Sequence, residues 1–560
     1  MKTRWAARYD PGVPASLRYP AEPLTRFLEH AAVNFPDQTA TVYFGARLSY
    51  RDLNALANRF ARALPVLGFR PGDRVALMLP NCPQMIAAYY GILKARGIVV
   101  QLNPLLAAPE VAAQLRDADA RLLVALPRFE PIWGSLVAEG VVKTVILTRV
   151  GDWAPLPMRW LIPLVQRWHG EPGDRLRGPG RVRLTELIRD MDGSNLSAAP
   201  RSADIALIQY TSGTTGSLKG AMLSHANLAA NALQCRAWMH DLKPGPGGDI
   251  FLGVLPFFHV YGMTVCMNLA ISSACTMILL PKFHVDQVLD AICKYHCTIF
   301  PGVELMYSAI NRSTRAGKAC LTSIRACISG AGPLYREVQE TFEGLTGGRV
   351  VEGYGLTEAS PVTHCCPIYG GCRTGTIGVP FPDTDAKVVD QATGRRELAP
   401  GRIGELIVRG PQVMRGYWNN PAETRIALRR GWLYTGDLAV MDRDGFFRIV
   451  ERKKDMIKTR GENVYPRNVE EVLLRHPGVA DVVVVGLPDQ AEGERIKAYI
   501  VPKGDRPTHA DLVEWCAKSL AKFEIPQEFE YRAFLPKNII GKTLRRLLRE
   551  EERRLKGVRS

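Results

Sequence analysis

The chain has 560 residues, enough for more than one domain, and 46% of them are hydrophobic, so sizeable cores are available. A charged fraction of 23% excludes a disordered, charge-dominated polymer. The net charge of +17 favours anionic partners, but it does not separate nucleic acids, nucleotides and acidic membranes from one another.

From the N-terminus onward, residues 1–26 lack the continuous apolar stretch of a secretory signal. No apolar run reaches the roughly 18 to 20 residues of a membrane span. The longest, 267–280, is interrupted by Asn268, Ser272 and Ser273. A cytoplasmic protein is expected. The segment 153–189 is irregular and basic, with Trp153, Trp160 and Trp168 among arginines. It reads either as a surface excursion packed on its own domain or as an interfacial segment touching anionic lipid at the inner membrane face. The twelve cysteines are scattered. Cys293 and Cys297, or Cys365, Cys366 and Cys372, lack paired zinc spacing despite His296 and His364 nearby, so buried free thiols are expected.

The middle of the chain alternates strands and helices. A strand over 205–210 leads into a loop of Gly, Thr and Ser, and Ser224 caps the helix that follows. Val285, Val288, Leu289 and Ile292 give helical periodicity over 284–296. Strands over 297–300 and 323–329 and a helix over 333–345 continue the pattern. A mostly parallel α/β sheet with ligands at the strand ends is expected. After about 370, the strands at 385–389, 405–408 and 446–450 are separated by turn residues and predict a smaller β-rich region. The charged run 451–455 precedes a compact α+β series that ends in a basic helix from 543. The expected fold class is therefore α/β: a large N-terminal domain of α/β sheets with a β-rich subdomain over 1–451, and a small mobile α+β domain over 452–560.

The strongest chemical signal is Thr211-Ser212-Gly213-Thr214-Thr215-Gly216-Ser217-Leu218-Lys219-Gly220. Glycines allow close approach to a phosphate, hydroxyls and amides donate hydrogen bonds, and Lys219 adds a point charge. It is not a Walker A loop, which needs Gly before the Lys and Ser or Thr after it; here Leu218 and Gly220 stand there. Six further motifs follow in order: 256–262 (PFFHVYG), 329–334 (SGAGPL), 353–358 (GYGLTE), 432–437 (WLYTGD), 452–458 (RKKDMIK) and 536–542 (PKNIIGK). Together they resemble the adenylate-forming acyl-CoA synthetases over nearly the whole chain, and bacterial long-chain fatty acid ligases in the stretches 78–105 and 451–457. Leu218 departs from the resemblance, where the family has Pro.

The resemblance implies ATP, Mg²⁺ and coenzyme A as cofactors and co-substrates, and a fatty acid as the acyl donor. Thr211, Ser212, Gly213, Thr214, Thr215, Gly216 and Lys219 would cradle the polyphosphate. Gly330, Ala331, Gly332, Glu352, Gly353, Tyr354 and Gly355 would pass the adenine, with the Tyr354 ring stacked on it. Asp437 and Arg452 would bind the ribose. Thr357 would donate to the α-phosphate, and Glu358 is the hard oxygen ligand for Mg²⁺. Lys542 is the expected adenylation catalyst, its ammonium stabilising charge that develops as a carboxylate attacks the α-phosphate. Lys454 matches the hinge about which the small domain turns; Lys458 and Asn463 then approach the adenylate, and Arg460 and Gly461 line the CoA path. His259, Val260, Gly262, Gly302 and Val303 would line the acyl pocket, which offers no partner for a second charge and so disfavours amino acids. A medium-chain or aryl-CoA ligase, an acyl-AMP ligase and a non-catalytic nucleotide or lipid sensor are the alternatives. No nucleic-acid module is recognisable, and the oligomeric state stays open, a homodimer among the options.

Overall fold

The computed structural model describes residues 5–156, 158–159, 161, 178–211, 218–489, 491–537, 543–555 and 557. The chain divides into two compact units. The first comprises 1–385 and 409–433, the second 386–408 and 434–560.

Among the described residues of the first unit, the largest sheet has eight strands. Five neighbouring strand pairs are parallel, running from Arg181–Arg183 through Thr144–Leu147, Leu122–Ala125, Arg74–Met78 and Ile98–Gln101 to Ile205–Thr211. The far edge is antiparallel: Lys219–Ser224 folds back on Ile205–Thr211, and Gly416–Tyr417 adds outside it. The central parallel strands Arg74–Met78, Ile98–Gln101 and Leu122–Ala125 are almost wholly buried, as a sheet covered on both faces requires. Val100, Leu123, Val145 and Ile208 share one core with Trp133 and Tyr210. Ser224 caps the helix His225–Trp238 as expected, its Oγ accepting from Asn227 N–H at 3.2 Å while the Asn227 side chain accepts from Ser224 N–H.

A second layer joins parallel strands Ile250–Gly253 and Thr276–Leu279 to Thr39–Tyr43. The strand expected over 297–300 is reduced to Ile299, which bridges Phe251 on one side and Ala326 on the other. Pro301 follows it and lacks the N–H a longer ladder needs. Ala326–Ser329 and Arg349–Gly355 are parallel, and Val362–Cys365 returns antiparallel.

The described parts of the basic segment 153–189 engage the protein itself. Arg181 pairs with Glu130 at 2.7 Å and lies 4.9 Å from the Trp133 ring centroid, and Arg183 faces Asp152. Trp160 and Trp168 lie outside the described residues. Among the described residues no helix is long and apolar enough to cross a membrane, and all twelve cysteines are free.

In the second unit, residues 437–441 pair antiparallel with Phe447–Arg452, and Val479–Asp489 and Gly493–Pro502 form a long hairpin. The helices Pro466–Leu474 and His509–Ala517 cover one face of that hairpin, with Val469, Leu473, Leu512 and Cys516 buried against Val482, Val484 and Ile500. The compact units thus divide the chain elsewhere than at 451/452, grouping 434–451 with the terminal segment. The reason is local: Glu451 accepts from Arg467 N–H at 3.0 Å and pairs with Arg545 at 3.3 Å.

Candidate active site

The phosphate-loop candidate is a hairpin whose two ends are in register. Thr211 pairs with Lys219 and Tyr210 with Gly220. Ser212, Gly213, Thr214, Thr215 and Gly216 lie outside the described residues. Leu218, which stands where a proline was expected, packs against the core around Ile208 and Tyr210. A side chain at Gly220 is excluded by packing: a Cβ there would sit 2.8 Å from Ile208 Cγ2 and 3.1 Å from the Tyr210 ring.

The neighbouring strand Gly416–Tyr417 brings partners that spacing does not reveal. Lys219 Nζ lies 2.7 Å from Glu423 Oε2 and 5.7 Å from the Tyr417 ring centroid. The Tyr417 hydroxyl donates to Glu358 Oε1 at 2.7 Å. Burial, with the Glu358 carboxylate beside it, holds that phenol far above its ordinary pKa, so it stays a donor. Glu358 sits on the short turn Thr357–Ala359, and its carbonyl accepts from Met414 N–H at 2.8 Å. Thr357, Glu358, Tyr417, Lys219 and Glu423 thus form one connected group. The phenol thus engages one carboxylate oxygen of Glu358, Oε1. A single carboxylate supplemented by phosphate oxygens and waters is the ordinary donor set for Mg²⁺, so the residues present fit that ion.

Tyr354 sits opposite His364 in the ladder, the rings 5.9 Å apart and edge-on. Gly355 is required there, since a Cβ would lie 2.2 Å from Pro361 O. Glu352 is nearly buried, and its Oε2 accepts from Leu334 N–H at 3.2 Å, tying the 330–334 loop to the tyrosine's strand. Ala331 adopts a left-handed φ of 65°. Gly330 donates to Gly302 O at 3.2 Å, so the adenine-side and acyl-side loops are joined.

The acyl-side residues are positioned by two tyrosines that motif reading did not assign to the site. The Tyr261 hydroxyl donates to Ile328 O at 2.7 Å, and Tyr307 bonds Phe300 O at 2.9 Å. A Cβ on Gly330 would meet the Tyr261 ring at 2.9 Å, and one on Gly302 the Tyr307 hydroxyl at 2.7 Å. His259 Nδ1 accepts from Tyr261 N–H at 3.2 Å and so caps the turn that carries Val260 and Gly262. Val260 and Val303 are buried.

In the second unit, Asp437 and Arg452 are directly opposite in the ladder, Nε to Oδ1 3.2 Å, with Asp437 buried and Arg452 partly exposed. Lys458 faces Asn463 across the hairpin Ile457–Thr459 and Glu462–Val464. Its two-residue turn is Arg460 and Gly461, both left-handed (φ 52° and 82°), as a tight twisted hairpin demands. Lys458, Arg460, Gly461 and Asn463 are all exposed, and Arg460 pairs with Glu492. Lys454 is exposed in a turn where Arg452 O accepts from Asp455 N–H at 2.9 Å. Lys542 lies outside the described residues, but both flanks of its loop are fixed: Lys537 bridges Thr543, and Leu544 N–H bonds Pro536 O at 2.8 Å.

The basic terminal helix Arg545–Leu555 is not simply a solvated face. Arg545 reaches Glu470 at 2.7 Å, Glu451 at 3.3 Å and Asp455 at 3.9 Å, and Arg549 holds Asp455 at 3.0 Å. Burial alone would raise the Asp455 pKa, but the two guanidinium groups hold it below the usual carboxylate range. Burial dominates at Glu451 and raises it.

Residues 28–418 match the family described as AMP-binding enzyme, and residues 468–542 match the AMP-binding enzyme C-terminal domain. The chain belongs to the adenylate-forming acyl-CoA synthetases. It is 43% identical over 552 residues to a long-chain-fatty-acid–CoA ligase of Bacillus subtilis, covering 98% of each chain. A long-chain-fatty-acid–CoA ligase of Salmonella typhimurium is 36% identical over 561 residues, 99% of each chain. A feruloyl-CoA synthase from Amycolatopsis is 33% identical, over 91% of this chain and 95% of that one. Among solved structures, ATP-bound MatB from Rhodopseudomonas palustris superposes with a TM-score of 0.83 at 30% identity, covering 95% of this chain and 99% of that one. Within this synthetase family fold, the motifs predicted Lys219, Glu358, Tyr354, Asp437 and Lys542. They did not predict Glu423, Tyr417 or Arg545, although an Asn-Pro helix start at 420–421 marks where Glu423 lies.

Proposed function

We propose that the protein ligates a long-chain fatty acid to coenzyme A in two steps through an acyl-adenylate. The observation that carries the reading is the connected group Glu423–Lys219–Tyr417–Glu358 at the base of the glycine-rich hairpin, in a chain of this family. In the first step a carboxylate oxygen attacks the α-phosphorus, the bond to the bridging oxygen breaks, and pyrophosphate leaves. Lys219 and the loop 211–219 hold the departing phosphates, and Thr357 donates to the α-phosphate. Mg²⁺, when bound with ATP by Glu358, supplies charge neutralisation at the phosphates. The Lys542 ammonium stabilises charge on the carboxylate and α-phosphate oxygens. In the second step the CoA sulfur attacks the adenylate carbonyl, losing its proton, and AMP leaves. Turning about Lys454 would bring Lys458, Arg460, Gly461 and Asn463 to this step.

A long acyl chain is supported by the likeness to two long-chain-fatty-acid–CoA ligases and by the buried valines of the acyl-side loops. An aryl substrate is the second reading, favoured by the likeness to a feruloyl-CoA synthase. Contact of the 153–189 segment with anionic lipid at the inner face of the membrane, and a homodimer, are finer proposals, decided by vesicle sedimentation and by mass measurement in solution.

Product analysis tests the reading. Purified protein receives Mg-ATP, CoA and, in parallel, acetate, octanoate, palmitate, oleate or coumarate, with Lys542→Ala as control. AMP and acyl-CoA appear together for palmitate or oleate and fall about 100- to 1000-fold in the control. A coumaroyl product alone moves the assignment to the aryl ligases. Adenylate without thioester moves it to the acyl-AMP ligases, and no product with any acid refutes the enzyme.

A further inference from the structure

Lys219 is the one phosphate-loop cation among the described residues, and its ammonium already has an anionic partner. Glu423 Oε2 lies 2.7 Å from Nζ, with the lysine side chain 19% and the glutamate 28% exposed. The pair is therefore partly shielded from solvent, where a charge contact is worth more than at an open surface. Its geometry is built rather than incidental. The Asn420 side chain accepts from Glu423 N–H at 3.1 Å, fixing the glutamate's backbone. The Thr424 hydroxyl bonds Asn420 O and receives Tyr417 N–H at 2.9 Å, fixing the same turn to the strand beside Lys219. The Tyr417 ring then flanks the ammonium.

We infer that Glu423 is a resident counter-ion for Lys219, occupying its ammonium until a polyphosphate displaces it and taking it back as pyrophosphate leaves. The inference rests on the reading of Lys219 as the polyphosphate cation. An ammonium has three donors and no acceptor, so a carboxylate and a phosphate oxygen are interchangeable partners for it. A polyphosphate carries more charge than one carboxylate and wins the exchange when bound. Glu423 then stands as a fixed negative charge near the polyphosphate and disfavours it. The carboxylate keeps the lysine paired and oriented in the nucleotide-free protein, lowers ATP affinity, and favours release of pyrophosphate.

AMP lacks the polyphosphate and discriminates between this role and a structural one. Dissociation constants for Mg-ATP, inorganic pyrophosphate and AMP are measured by calorimetry on the full chain as wild type, E423Q, K219A and the double variant. E423Q is expected to bind ATP and pyrophosphate about fivefold more tightly, the effect of one partly shielded charge, with AMP unchanged. K219A is expected to weaken ATP and pyrophosphate but not AMP, and to shrink the gain from E423Q in the double variant, where only the direct repulsion by Glu423 is left to relieve. Unchanged or weaker ATP binding by E423Q overturns the inference while the Lys219 reading stands. A gain shared equally by AMP shows a structural effect and also overturns it. If K219A affects ATP and AMP alike, the polyphosphate reading of Lys219 fails, and this inference fails with it.

Discussion

Burial decides how His225 and His364 respond to acid. Burial pushes the first down from 6.5 to about 4, against the pull of Asp204, and the second to about 3. Both are neutral in the folded protein where the unfolded chain already binds a proton. The sign follows: the stability is fully present above pH 6.5 and is lost as pH falls toward 4. Each histidine costs about 1.4 kcal/mol by pH 5.5. The urea midpoint of the first unit is expected to drop between pH 7.5 and 5.5, and His225→Gln to remove about half of that drop. An unchanged pH slope in the variant would show that other groups carry it. Residue-level legibility follows the same division between local and distant. Lys219 and Glu358 could be proposed from sequence because each sits inside a motif of adjacent residues. Glu423 was not, because it stands 204 residues from its partner and no spacing records a pairing made by strand addition. Lys542 was named by its motif, and the structure adds only the fixed flanks of its loop.

At the scale of elements, the α/β alternation was legible because the buried parallel strands are mostly apolar and Ser224 caps its helix locally. The 297–300 strand was over-read, since an apolar run does not say how many backbone bonds it makes. The terminal helix is more instructive: five arginines on one helix look solvated until Glu451, Asp455 and Glu470 converge on the first. Removing Arg545 leaves three shielded carboxylates near one another. Arg545→Ala is expected to destabilise the second unit by about 3 kcal/mol, as when one member of a buried ion cluster is deleted. Arg545→Lys restores only part of this, because one ammonium cannot match a fork that reaches Glu451 and Glu470 together. Thermal unfolding with hydrogen exchange over 447–475 measures both. The destabilisation should shrink as the pH falls and Glu451, whose carboxyl burial already holds above its ordinary pKa, takes up a proton. A pH-independent loss would mean that packing rather than charge is at stake.

For the whole molecule, the proposed reaction has two steps, attack of a carboxylate oxygen on the α-phosphorus and attack of the CoA sulfur on the adenylate carbonyl, and the proposal gives each step its own arrangement of the groups that serve it. The resemblance in motif order is the basis for proposing which segments serve each step, but sequence could not tell where the compact units divide, because that depends on Glu451 being gripped from both Arg467 and Arg545. Lys454 lies between Glu451 and Asp455, inside a turn closed by Arg452 O, and its side chain is exposed. If the backbone there is the pivot, restricting it should affect the two half-reactions unequally. Lys454→Pro fixes φ near −65° and removes an N–H, whereas Lys454→Ala leaves the backbone free. Pyrophosphate exchange reports the first step, and thioester formation from isolated acyl-adenylate the second. The proline variant is expected to change the ratio of the two rates by at least about tenfold, the effect of an added barrier of about 1.4 kcal/mol on one step alone. The alanine variant should keep the ratio within about threefold of wild type, a barrier difference under about 0.7 kcal/mol. Equal loss of both rates in the proline variant would mean that residue 454 supports the fold and that the turning point lies elsewhere. A ratio changed as much by alanine as by proline would assign the effect to the ammonium instead of the backbone.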